Sequence, residues 1–148
     1  MMEWMLVALG AIIIVALSIY AGRLVFLVKA QNSRHLAARS KRIESMTTSI
    51  QTIAFAVEQQ QCDLSEGAIR ICRLLEAMPI DPLPDHAKVY PALHSLFDKV
   101  KNYPTHDARQ ALSKKERREQ DKERGQFESE LESAILEEVK ILKHYNAS

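Results

Sequence analysis

Trp4-Met5-Leu6-Val7-Ala8-Leu9-Gly10-Ala11-Ile12-Ile13-Ile14-Val15-Ala16-Leu17-Ser18-Ile19-Tyr20-Ala21-Gly22 is a run of nineteen residues without a formal charge. A helix rises about 1.5 Å per residue, so the run reaches roughly 28 Å, close to the ~30 Å hydrocarbon core of a bilayer. Arg23 follows, and then the apolar Leu24-Val25-Phe26-Leu27-Val28. An arginine near the end of a span bends its long side chain toward the headgroups at little cost. Residues 1–28 are therefore expected to form one transmembrane helix. A cleaved signal peptide fits less well, because it opens with basic residues and closes with small ones at a cut site. Here Met1, Met2 and Glu3 precede the run, and Ile19-Tyr20-Ala21 lacks the small residue three positions before a cut. A soluble core helix normally keeps a polar stripe, which this run does not have.

The flanks give an orientation. Residues 1–22 hold no Lys or Arg, whereas residues 23–42 supply Arg23, Lys29, Arg34, Arg39, Lys41 and Arg42 and no acid. Basic residues beside a span stay in the cytoplasm, so the C-terminal bulk is expected there, with the lipid bilayer as the first partner. The whole chain has a net charge of +1. Setting aside residues 1–43, with six basic residues and one acid, leaves 14 Lys/Arg against 18 Asp/Glu, so the remainder is acidic. That balance argues against a general nucleic-acid binder. Cys62 and Cys72, in a reducing compartment, are expected to remain thiols.

Past the basic segment, Ile43, Met46, Ile50, Ile53 and Val57 recur at spacings of three and four, a helical seam of barely two heptads. It suits a helix packed on its own chain better than a coiled coil between copies, although a homodimer through this seam is the competing arrangement. Gln59-Gln60-Gln61 ends the stripe. Asp63 and Glu66 read as a capping box for a helix with Ile69, Cys72, Leu75 and Met78 on one face, joined by Ile71 and Leu74. Pro79, Pro82 and Pro84 exclude a helix until Pro91 opens the next, with Leu93, Leu96, Phe97 and Val100 inward. After Tyr103-Pro104, with Thr105 and Asp107 as openers, one long helix is expected from His106 to about Tyr145, bent if anywhere at Gly125. Its first half, Lys114 to Arg124, carries no apolar residue, and Arg117–Asp121 and Lys115–Glu119 stand at ion-pairing distance on a helix. Its second half is acidic, with the stripe Phe127, Leu131, Ala134, Ile135, Glu138 and Leu142 returning to the core. No segment alternates as a strand would. The expected class is all-α: one N-terminal transmembrane helix (1–28), a basic juxtamembrane segment (29–42) and a small cytoplasmic helical bundle (43–148) ending in a long charged helix.

Chemistry-bearing patterns are sparse. Cys62 and Cys72 are not a CxxC pair, and His86, His94 and His106 lie on separate segments without metal-ligand spacing. Gly67 stands alone, so no phosphate loop is present. No cofactor, metal or catalytic residue is expected. A segment without apolar residues cannot enter its own core, which makes Lys114, Lys115, Arg117 and Arg118 candidates for a partner surface, with a solvated spacer as the alternative. Arg70 and Arg73, beside Glu66 and Glu76, are further candidates on the preceding helix.

Two stretches, Cys62-Asp63-Leu64-Ser65-Glu66-Gly67-Ala68-Ile69-Arg70-Ile71 and Pro104-Thr105-His106-Asp107-Ala108-Arg109-Gln110-Ala111-Leu112, carry a resemblance to a bacterial family catalogued as domain of unknown function number 2489. With the span and the charged helix, the likeness covers nearly the whole chain. It implies a small protein of a Gram-negative bacterium and no chemistry. Together with the flanking charges it gives an inner-membrane location with a periplasmic N-terminus. The expected role is a membrane-tethered helical interaction module for another membrane or cytoplasmic protein. The alternative is a small membrane-bound enzyme or cofactor-binding protein using residues 63–73 and 104–109. RNA contact through Lys114–Arg124 is opposed by the acids interleaved there.

Overall fold

The computed structural model describes residues 1–104 and 106–147, without the side chain of His106. Every regular element among them is a helix: α1 (Met2–Glu58), α2 (Leu64–Glu76), α3 (His86–Val89), α4 (Pro91–Val100), α5 (His106–Gln110) and α6 (Lys114–Leu142). The chain divides into two compact units, Met1–Lys41 and the remainder from Arg42 onward.

The first unit is purely helical. Its helix is long and apolar enough to cross a membrane by length and composition. The large apolar side chains of Trp4, Ile12, Ile14, Leu17, Tyr20 and Phe26 are all exposed. As a helix, α1 runs without a break from Met2 to Glu58, through the apolar run, the basic segment and the stripe beyond it.

In the second unit the last turns of α1 enter a shared core. Met46, Ile50, Ala54 and Val57 are buried, with Ile43 and Ile53 half-covered beside them. The seam is thus occupied by its own chain. α1 stops as Gln60 takes φ 57°; Gln61 donates to the Ala56 carbonyl (2.8 Å) and Gln60 to that of Val57 (3.0 Å), the paired bonds of a Schellman end.

α4 packs on α2, α6 and α3, and α2 also meets α6. The inward residues of α4 are the expected Leu93, Leu96, Phe97 and Val100. On α2 the buried stripe is Ala68, Ile71, Cys72 and Leu75, while Ile69 is only partly covered. Gly67 serves packing: a Cβ there would collide with Cγ2 of Val57, so the α2 backbone lies directly against that side chain of α1. The C-terminal end is tied to α1 by Gln51 Nε2 donating to the Tyr145 carbonyl (2.8 Å) and by Lys143 Nζ to Glu58 (2.6 Å).

The expected single helix from residue 106 is two. α5 ends at Gln110, and α6 starts afresh after Ser113, whose hydroxyl accepts from the Glu116 N–H while the Glu116 carboxylate accepts from the Ser113 N–H. This reciprocal capping box resets the backbone, and α6 then passes through Gly125 without a break. The inward residues of α6 are Ile135, Val139 and Leu142, with Ala134 exposed rather than in the core. Thr105, read as an opener, lies outside the described residues.

Candidate functional site

The N-terminus of α2 is held differently from the expected Asp63–Glu66 box. Asp63 occupies the cap position, yet its side chain makes no capping bond. Glu128 of α6 supplies the carboxylate instead, accepting from the N–H and the hydroxyl of Ser65. Glu66, released from that role, pairs with Arg70 (2.5 Å). A cap arriving from another helix leaves the mouth of α2 lined by charged groups with short-range partners.

That mouth opens into a cleft of about 410 Å³ lined by Asp63, Ser65, Glu66, Ile69, Arg70, Val100, Tyr103, Pro104, Arg109 and Arg124. The two stretches carrying the family likeness, distant in sequence, face each other across it. Arg109 is fixed by bonds of 2.7 and 2.9 Å from Nη2 to both carboxylate oxygens of Asp121, which Arg124 also approaches at 3.4 Å. Tyr103 donates to Glu123 (3.2 Å), and burial first, then that carboxylate, raises its phenol above the ordinary range. The cleft therefore offers three guanidinium groups, each beside a carboxylate, around an apolar floor of Ile69 and Val100. Such a lining suits a ligand with both an apolar body and a charged end. No cysteine lines it, and among the described residues no cluster of three or more His, Cys, Asp or Glu is placed to hold a metal.

Asp121 is thus taken by Arg109 and Arg124, so the expected Arg117–Asp121 pair does not form, nor does Lys115–Glu119. The polar half of α6 also has an inner side. Arg117, Gln120 and Arg124 are partly covered, and the Nε of Arg117 is enclosed without a hydrogen-bond partner. Long stems let arginines cover a neighbouring surface without any apolar residue. Of the candidate partner residues, Lys114, Lys115 and Arg118 are exposed, Arg117 faces inward, and Arg70 borders the cleft. Arg73 stands apart, 5.3 Å over the Phe97 ring and 3.9 Å from Glu76.

The remaining titratable groups lie elsewhere. Cys62 and Cys72 are free thiols, and burial pushes the latter up to about 12. His86 is buried between Tyr90 and Tyr145, and its Nε2 has no hydrogen-bond partner among the described residues. His94 lies near enough to disfavour a charge on it. Neither the cleft nor the histidine pair has a local sequence signature, because both assemble residues from separate helices.

No solved structure matches the chain. A relative from Haemophilus influenzae, described as an uncharacterized protein, is 33% identical over 141 residues, covering 95% of this chain and 93% of the relative. The model of the family described as protein of unknown function (DUF2489) matches residues 14–142. By both measures this chain belongs to that family.

Proposed function

We propose that the protein is a membrane-tethered helical binding module of the bacterial inner membrane, with its N-terminus periplasmic and its domain from Arg42 onward in the cytoplasm. The observation that carries this reading is the uncharged helix Trp4–Gly22, exposed along its length and followed by six basic residues. Exposed apolar surface of that extent needs a cover, and lipid supplies one of matching thickness. The charge step then sets the direction of insertion. Tethering raises the local concentration of a weakly bound partner, which suits a small domain with a charged surface. The candidate partner surface is the exposed Lys114, Lys115 and Arg118, extended by Arg70 at the cleft. Reporter fusions after His144 test the topology: a cytoplasmic signal is expected, and a periplasmic one overturns the reading.

The cleft favours a second reading, a small-ligand site formed by residues 63–73 and 104–109, because it joins those stretches in one concavity. A metabolite screen by thermal shift, repeated with Arg109→Ala, separates the two. A ligand whose stabilisation disappears in the variant supports the site, and an unresponsive native protein removes this reading.

A further inference from the structure

The outward face of α6 carries a charge pattern with a centre. At about 100° per residue, Lys115, Lys122, Gln126, Glu130 and Glu137 fall within roughly 80° of one another on the helix. All five are exposed. The two lysines are seven residues apart, and so are the two glutamates, with Gln126 midway between Lys115 and Glu137 and also midway between Lys122 and Glu130. Of the four acids of the basic half, Glu116 is engaged by Ser113, Asp121 by Arg109 and Arg124, and Glu123 by Tyr103, while Glu119 is exposed on the same arc. Among the described residues no opposite charge lies within ion-pair distance of Lys115, Lys122 or Glu130, and Glu137 has one exposed partner, Lys140. Exposed pairs of that kind are readily exchanged.

We infer that this face is a self-recognition surface, on which α6 of a second copy lies antiparallel with the two-fold axis at Gln126. In that register Lys115 meets Glu137 of the second copy and Lys122 meets its Glu130, each twice by symmetry. Glu119 then faces Ser133, so no residue of the arc is set directly against its own charge. A parallel arrangement would set lysine against lysine and glutamate against glutamate, so the pattern selects direction as well as partner. Ser133 on the arc and Ser129 at its edge are short, which lets the helices approach. An isologous two-fold contact is the common closed symmetry of homodimers. The surface has no apolar core, so pairing is weak in dilute solution and gains from anchoring both copies in one bilayer. The inference requires a shared membrane and is independent of which side the domain occupies.

The test uses the full chain in lipid vesicles, with Gln126→Cys as a cross-linking site and Cys62→Ser to remove the accessible thiol. Efficient cross-linking between the introduced thiols of two copies is expected. Lys115→Glu with Lys122→Glu, or Glu130→Lys with Glu137→Lys, should each lower the yield at least tenfold, while circular dichroism stays unchanged. Co-reconstituting the two charge-reversed proteins should restore the yield, because every facing pair is again opposite in sign. Absence of cross-linking in the parent overturns the inference, as does a yield indifferent to reversal or a mixture that fails to recover. Capture of an acidic protein that is lost with the lysine variant but kept with the glutamate variant also overturns it, by assigning the basic half to another partner.

Discussion

His86 lies 6.4 Å, centroid to centroid, from both Tyr90 and Tyr145, buried and with an unpartnered Nε2. Burial first and then His94 lower its proton affinity below the ordinary 6.5, with Asp85 opposing weakly. The unfolded chain therefore takes up a proton near pH 6.5 that the folded chain still refuses, and stability rises with pH through that window. Folding should be uniformly favourable above about pH 7.5, where neither state is protonated, and weaken progressively below 6.5. Urea midpoints for the native chain and His86→Phe, compared at pH 5.5 and pH 8, check this. The variant should lose much of the difference, and an equal difference in both proteins would assign the effect elsewhere. None of this was legible in the sequence. α3 has four residues, too few for a periodic pattern, and the burial depends on Tyr145 arriving from the other end of the chain.

At the scale of elements, α6 organises the helices that meet it. Glu138 accepts from the N–H groups of Ala92 and Leu93, both at 2.8 Å, capping α4 as Glu128 caps α2. Pro91 at the first position lacks an N–H, so the two donors that follow are the ones left to satisfy. A carboxylate also complements the positive end of the helix. Hydrogen bonds to charged groups are worth about 1.5–3 kcal/mol, so Glu138→Ala should cost about 2–3 kcal/mol in urea unfolding. The exposed Glu137→Ala should stay within about 0.5 kcal/mol, and equal losses in the two variants would contradict the cap. The periodicities of α1, α2 and α4 were legible because an apolar stripe registers the buried face directly. Sequence also placed Glu138 on the inward stripe, but nothing local says that a partly covered glutamate serves a helix start elsewhere. The break before α6 was present as Ser113-Lys114-Lys115-Glu116 and lay hidden in a charge-rich run, where the ion pairs suggested one continuous helix. The cleft was legible only as two stretches that resembled a family. Their meeting required α6 to pack on α2 and Arg109 of α5 to reach Asp121 of α6.

At the scale of the molecule, α1 differs along its length in what its side chains meet. The part of α1 within Met1–Lys41 presents apolar side chains outward, whereas Met46, Ile50, Ala54 and Val57 are buried with α2, α4 and α6 in one core. The unit from Arg42 onward therefore depends on the last turns of a helix that begins in the other unit, and a boundary placed after the helix would remove part of the core. Each buried aliphatic side chain contributes about 1.5–3 kcal/mol, the alanine less. Losing the four together approaches the whole stability of a small domain, about 5–15 kcal/mol. The same cut strands Lys143 without Glu58 and removes the Gln51 bond to the Tyr145 carbonyl. A chain beginning at Arg42 should thus unfold cooperatively in urea without detergent, with helical circular dichroism matching that of the unit. A chain beginning at Gln61, which keeps α2 to α6, should show neither a cooperative transition nor protected amides in hydrogen exchange. Equal cooperativity in both would mean that the last turns of α1 only cover the domain and are not part of its core.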